Sequence, residues 1–318
     1  MMDKDAPIYV AGHRGLIGSA FVRRLAHAGY RNVIVRSRAE LDLADRGAVL
    51  AFFERVRPRV VVLAAGRVGG ILENMRRPAE FILDNLRIEI NVLEAARLAR
   101  AERVFFFASS CMYPRDCPQP MAEAHLLGGR PEETSLPYAI SKLAGLQACL
   151  ALNRQYRDTL YIPVIPNSAY GPNDNFDPDS AHVLAALIRR FHDAKTAGER
   201  EVVLWGSGTP RREFVHADDV ADACLFLMDA ALAPEQLPLN IGTGADHSIR
   251  ELAQIVAQAV GYAGGVRWDA SRPEGAPRKL LDCSRLRGLG WSGPKVSLAE
   301  GVRSTYHWFL GRSAGRAR

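Results

Sequence analysis

Tyr138 and Lys142 stand four residues apart in YAISK, a spacing that sets a phenol and an ammonium on one face of a helix. Nine tyrosines occur in the chain, and only Tyr138 has a lysine four residues on. Lysine is also scarce: of 41 basic residues, 36 are arginine and five are lysine. An ammonium nearby favours tyrosinate, so the pair predicts a phenol of lowered pKa that works as an acid near neutral pH. A plain helix-start tyrosine with a solvated lysine is the competing reading. Upstream, the run RVFFFA ends at Ser109 and Ser110, and either hydroxyl at such a strand end is placed to hydrogen-bond a carbonyl. That favours chemistry over the plain reading. Cys111 follows directly, and alone it reads as a packed strand-end thiol.

A second constellation lies near the N-terminus. PIYVAG runs into GHRGLIG and then a helical pattern, so Gly12, Gly15 and Gly18 fall between a strand and a helix start. Glycines there let backbone N–H groups approach a pyrophosphate, and the helix dipole favours its negative charge. The next strand ends NVIVRSR. A fold selective for NAD places an acid there for the ribose 2′-OH, whereas this chain has Arg36, with Arg38 close by and Arg14 inside the glycine loop. Guanidinium groups match a 2′-phosphate, so NADP(H) is the expected cofactor. Asp42 and Leu43 follow and are expected to cover the adenine.

These residues need elements that position them. Short apolar runs at 7–12, 32–37, 59–66, 103–110 and 160–171 read as strands. Helical patterns lie between them, at 16–30, 46–58, 78–100 and 137–156. Strand–helix alternation at this spacing predicts an α/β fold with a doubly wound parallel Rossmann sheet, which binds ligands at its strands' carboxyl ends. After residue 172 the alternation loosens into a smaller C-terminal α/β lobe for substrate. The expected division is 1–172 for the NADP-binding core and 173–318 mainly for the lobe, with segments returning to the core. The tail GRSAGRAR is expected to fray.

Composition narrows the class. At 48% hydrophobic and 24% charged residues the chain is an ordinary globular protein, and no apolar run has membrane-span length. The acidic N-terminal stretch lacks the pattern of a signal peptide, so a cytoplasmic location is expected. The net charge of +6 is spread without a basic block or interleaved aromatics, which argues against nucleic acid and for an anionic small molecule. Five cysteines at irregular spacing suggest neither a disulfide framework nor a metal site, and Cys149 and Cys224 read as buried hydrophobes.

With these motifs in place, the chain resembles the extended short-chain dehydrogenase/reductases, and within them the GDP-4-keto-6-deoxy-sugar epimerase/reductases of the GDP-L-fucose synthase family. The resemblance runs in order through VAGHRGLIGSA, RVGGILENMRRPAEFI, SSCMYP, PYAISKLAG, YGPNDNF, HVLAALIRRFH, WGSGTPRREFVHADD, NIGTG, SIRELA and RPEGAPRKLLD, almost the whole chain. It implies that Tyr138 protonates O4 as hydride reaches C4, that Lys142 supports it and that Ser109 orients the carbonyl. Cys111 and His182 match the family's base and acid for epimerisation beside the ketone. A C4 ketone acidifies the flanking C–H bonds, so a thiolate and an imidazole can remove and return a proton. Cofactor contacts are implied at Gly12, Arg14, Gly15, Leu16, Ile17 and Gly18, at Arg36, Asp42, Leu43, Ala64 and Ala65, and from Lys142 and His182. Substrate contacts are implied at Arg190, Trp205, Arg212 and Asp282, and pairing of two long helices implies a homodimer.

Some positions depart from the family pattern. Ser168-Ala169 replaces Asn-Leu before Tyr170-Gly171-Pro172, Asn175-Phe176-Asp177-Pro178 lacks a customary histidine, and Arg67 stands where lysine is usual. The first two changes bear on the sugar, and hexose and heptose both stay open; a GDP-4-keto-6-deoxyheptose 4-reductase without epimerisation is the alternative. A 4,6-dehydratase would place an acidic pair where Cys111-Met112 stands. Cys111, the His182 segment and Arg36 disfavour a UDP-sugar 4-epimerase. A non-catalytic NADP-sensing regulator would be expected to lose Tyr138 or Lys142, and this chain has both.

Overall fold

The structure is a computed structural model that describes residues 2–178, 180–271 and 275–316, with side chains as far as Arg312. Strands β1 (Ile8–Ala11), β2 (Val33–Arg36), β3 (Val60–Leu63), β4 (Arg103–Phe107) and β5 (Leu160–Pro166) alternate with helices. These are α1 (Leu16–His27), α2 (Arg46–Val56), α3 (Ile71–Arg76), α4 (Pro78–Leu98) and α5 (Leu136–Gln155). Beyond them come β6 (Ser168–Tyr170), α6 (Val183–Ala197), β7 (Glu201–Trp205), β8 (Arg211–Arg212), β9 (Phe214–His216), α7 (Ala217–Asp229) and β10 (Leu239–Ile241). The chain ends with β11 (His247–Ser248), α8 (Ile249–Val260), β12 (Gly265–Asp269), β13 (Arg278–Lys279), α9 (Ser284–Gly288) and α10 (Leu298–Arg316).

The central sheet has the order β2-β1-β3-β4-β5-β10, and all its pairings are parallel. Strand alternation explains why its runs are apolar throughout. Tyr9, Ala11, Val61, Leu63, Val104 and Phe106 join a core with α2, α4 and α5. Ile8, Val10, Val60, Val62, Phe105 and Phe107 join another with α1 and α7. Each fully buried side chain of this size contributes about 1.5–3 kcal/mol. Chain order reverses between β1 and β3, which opens a crevice at their carboxyl ends.

Two segments beyond residue 172 return to this sheet. Strand β10 pairs with β5, and α7 packs on α1 through the ion pairs Arg23–Asp218 (2.6 Å) and Arg24–Asp222. The run read as one strand over 160–171 splits at Asn167. Its backbone N–H still bonds Ile241, but β6 then leaves to pair with β9. A third core holds the lobe together from α6, α8, α10 and β7. The tail expected to fray remains helical to Arg316, anchored upstream by buried Val302, Tyr306 and Phe309; its last two residues lie outside those described. Cys149 and Cys224 are fully buried, and all five cysteines are free thiols.

Candidate active site

The glycine loop is built by close approach. Gly12 has φ +81°, and a Cβ there would lie 2.8 Å from the backbone of Ala64 and Ala65 at the end of β3. A Cβ on Gly18 would sit 2.1 Å from the Gly12 carbonyl oxygen, and the Gly15 N–H donates to that oxygen. Helix α1 therefore starts at Leu16 and Ile17 with Gly15 at its cap, no side-chain cap bond and no acid in its first turn. Its N–H groups face the crevice unopposed, a cradle that fits a dinucleotide's diphosphate.

Arg36 ends β2, and its guanidinium lies over the Phe52 ring. Arg36 and Arg14 both help hold the Glu40 carboxyl below its usual range, after hydrogen bonds from Ser37, so both charges converge on one corner of the site. Asp42 pairs at 3.6 Å with Arg38 and accepts from the Ala44 N–H. The Leu43 side chain is packed in the sheet's core.

At the end of β4, Ser109 caps a 3₁₀ turn over Ser110–Met112 and accepts from the Cys111 N–H at 3.2 Å. Tyr138 opens α5 against this turn, edge-on to Phe81 of α4, with ring centroids 6.2 Å apart. Burial pushes the Tyr138 phenol up, with Cys111 and Glu89 adding to the rise and a hydrogen bond to Ser109 opposing it. This reverses the lowered phenol expected from Lys142. The chief reason is burial; Lys142, for its part, is held by Glu89 on α4, whose Oε1 lies 3.0 Å from the Lys142 Nζ in a buried ion pair.

His182 caps α6 across the cleft. The preceding segment is pinned to the loop after β3, where the Gly70 N–H donates to the Ser180 carbonyl. Desolvation lowers the His182 pKa, an effect to discount because its side chain remains exposed. Among the described residues, no hydrogen bond or ion pair joins its ring to Cys111 or Tyr138. The two cations expected around Cys111 are thus Lys142, already paired with Glu89, and an exposed histidine that no bond holds against the thiol among the described residues.

The remaining predicted contacts lie on the lobe. Arg190 of α6 donates to the Val203 carbonyl and lies 6.0 Å from the exposed Trp205 ring. Arg212 of β8 approaches Gly275, where a Cβ would meet its Nη2 at 3.1 Å. Asp282 accepts from Ser284, which lowers its pKa. Arg272, Pro273 and Glu274 of the RPEGAPRKLLD motif lie outside the described residues. Ala169 packs toward the α1–α7 core and Phe176 is buried against Phe309 (4.9 Å). Arg67 bridges Glu80 and Asp84 at the start of α4.

Sequence reasoning missed three polar anchors. Asn85 accepts from the Arg67 N–H and donates to the Arg67 carbonyl, which fixes the loop after β3 beside Lys142. Glu213, fully buried, accepts from Asn167 (2.6 Å), the Gly244 N–H (2.6 Å) and the Leu281 N–H (3.0 Å). Ser110 donates to Asn167, so this carboxylate ties the serine turn to the lobe. Glu89 is the third. Asn85 and Glu89 share one face of α4 at i, i+4 spacing, the one sequence signal that could have found them.

Residues 8–242 match the NAD dependent epimerase/dehydratase family. GDP-L-fucose synthase 1 of Arabidopsis thaliana is 49% identical over 310 residues, covering 98% of this chain and 95% of the plant protein. GDP-L-fucose synthase of Escherichia coli (strain K12) is also 49% identical, over 95% of this chain and 96% of its own. Among solved structures, the GDP-mannoheptose C4 reductase MlghC from Campylobacter jejuni with NADP bound superposes with a TM-score of 0.90 at 35% identity, covering 98% of this chain and 100% of that one. The chain belongs to the NAD dependent epimerase/dehydratase family, in the GDP-L-fucose synthase branch of the extended short-chain dehydrogenase/reductases.

Proposed function

We propose that the protein is an NADPH-dependent ketoreductase that reduces C4 of a GDP-4-keto-6-deoxy sugar, with epimerisation at C3, C5 or both, in the synthesis of activated deoxysugars for surface polysaccharide. The observation that carries this reading is the meeting of Tyr138, Ser109 and Cys111 at the end of β4, on the same sheet as the Gly12 cradle. The names of the relatives, two GDP-L-fucose synthases and a GDP-mannoheptose C4 reductase with NADP, support the substrate class and cofactor.

NADPH, when bound, supplies the hydride for C4. The α1 N-terminus and its glycines hold the diphosphate, and Arg36 with Arg14 meets the 2′-phosphate. Tyr138 gives its phenolic proton to O4, which forms O4–H as the tyrosine O–H breaks. Burial suits that role, because a phenol pushed up in pKa arrives protonated. Ser109 aligns the carbonyl, and Lys142, 6.0 Å from the Tyr138 ring, supports the phenol. Cys111 and His182 are assigned as base and acid for epimerisation; His182 must first take up a proton, which an anionic diphosphate nearby favours. Arg190, Trp205, Arg212 and Asp282 hold the nucleotide sugar. We assign residues 1–172 to the cofactor core and 173–318 mainly to the substrate lobe.

The partner reading is a cytoplasmic homodimer. Leu83, Ile90 and Leu98 form an exposed stripe along the outer face of α4, with exposed Ile140 on neighbouring α5, an apolar surface that a second copy would bury. Among the described residues, no helix is long and apolar enough to cross a membrane.

A second reading is C4 reduction of the heptose analogue without epimerisation, favoured by the likeness to the GDP-mannoheptose C4 reductase. One experiment separates the two: incubation with NADPH in deuterated water on hexose and heptose substrates, followed by NMR. The first reading predicts deuterium at C3 or C5 together with NADPH oxidation. In Cys111→Ser, deuterium incorporation should stop while C4 reduction continues and releases the unepimerised alcohol. Loss of NADPH oxidation in that variant would contradict the division of labour.

A further inference from the structure

Glu89 is a glutamate with 1% of its surface exposed, on a helix whose opposite face reaches solvent. A buried carboxylate is costly, and nothing about helix α4 alone calls for one. The facing helix makes room for it. Tyr138, Lys142, Gly145 and Cys149 form one buried stripe along α5, and Phe81, Asn85 and Glu89 form the matching stripe on α4. A Cβ on Gly145 would lie 2.6 Å from the Glu89 Oε2 and 2.5 Å from the Phe106 Cζ, so a missing side chain on α5 is what admits the carboxylate. Its Oε1 then lies 3.0 Å from the Lys142 Nζ, and among the described residues no other side chain bonds either of its oxygens. Beside Lys142 lie the rings of Phe106 at 5.1 Å and Tyr138 at 6.0 Å.

We propose that Glu89 is a positioning residue of the ketoreductase: it fixes the Lys142 ammonium beside Tyr138 and offsets its charge, so that Tyr138 meets the substrate protonated. This rests on the reduction of a C4 ketone proposed above. An unbalanced ammonium so near the phenol would favour tyrosinate, the form that cannot give O4 its proton. A reductase needs the opposite bias, and a carboxylate locked against the ammonium supplies it. The groups facing the pair are few. Cys111 and Ser109 reach Tyr138 from the turn after β4, while Lys142 and Cys149 face Glu89 from α5. The Glu89 charge itself adds to the rise of the phenol; desolvation raises the Glu89 carboxyl's own pKa, and the Lys142 charge and hydrogen bond work against that rise.

The test is the pH dependence of kcat for ketone reduction in wild type and in Glu89→Gln, with NADPH affinity and thermal stability measured alongside. The alkaline limb of Glu89→Gln should move down by about one pH unit or more, the size expected for one nearby charge. A purely structural role would lower kcat at every pH or reduce Tm, and would leave the limb in place. Coincident limbs would overturn the proposal. Should Glu89→Gln fail to fold, Glu89→Asp carries the test: its shorter arm loosens the pair, the limb must again move down by a smaller amount, and an unmoved limb overturns the idea. Failure of the parent reading looks different, because wild type itself would then not oxidise NADPH with the 4-keto substrate.

Discussion

Cofactor choice turns on single side chains. Arg36 occupies the end of β2 where an acid would have selected NAD, and its guanidinium makes no ion pair with protein among the described residues; with Arg14 it presents positive charge to one corner of the crevice. One charge-assisted contact to a 2′-phosphate is worth about 1.5–3 kcal/mol, so Arg36→Ala should raise KM for NADPH roughly ten- to hundredfold. KM for NADH should change little, since that cofactor has no phosphate at the position. Steady-state kinetics with both cofactors checks this, and equal losses would remove Arg36 from the assignment. At the same scale, Tyr138, Lys142 and the glycines were legible in the sequence because their chemistry is local: a four-residue helical spacing, or three glycines between a strand and a helix. Glu89 was not. In RIEINV it looks like any surface glutamate, and its burial depends on Gly145, a residue one helix away.

Elements do two jobs here. The inner stripe of α4 fixes the site through Phe81, Asn85 and Glu89, while the outer stripe remains apolar and exposed at Leu83, Ile90 and Leu98. In the proposed dimer, a charge placed on that outer stripe must be desolvated without a partner. Ile90→Glu should therefore shift the protein toward monomer at micromolar concentration in sedimentation velocity, with a loss of at least about 1.4 kcal/mol, or tenfold in the dimer constant. Its far-UV spectrum should remain that of wild type, because Ile90 does not contribute to the core. A variant that still sediments as wild type would move the interface elsewhere. The helices themselves could be read from sequence to within a few residues, since Pro78 and Pro137 mark their starts and apolar spacing marks their faces. Strand β10 could not. Three residues after a proline carry no period, and only pairing with β5 makes them the sheet's sixth strand.

At the scale of the molecule, the serine turn, the glycine cradle and the lobe's polar residues belong to separate parts of the chain. Glu213 and Asn167 bind Ser110 to Gly244 and Leu281, and the Gly70–Ser180 bond carries the loop after β3 to the His182 segment. Such long-range bonds are invisible to periodicity, which is why sequence alone named the candidate reacting groups and not what holds them in register. The account centres on Tyr138 as the acid for C4 reduction. Its most direct test is single-turnover NADPH oxidation by Tyr138→Phe with a GDP-4-keto-6-deoxy sugar, alongside equilibrium binding of the nucleotide sugar. We predict a rate lowered by about 10²–10⁴, with binding preserved, because the lost proton is needed only as charge develops on O4. A Tyr138→Phe enzyme that oxidised NADPH at close to the wild-type rate would contradict the account.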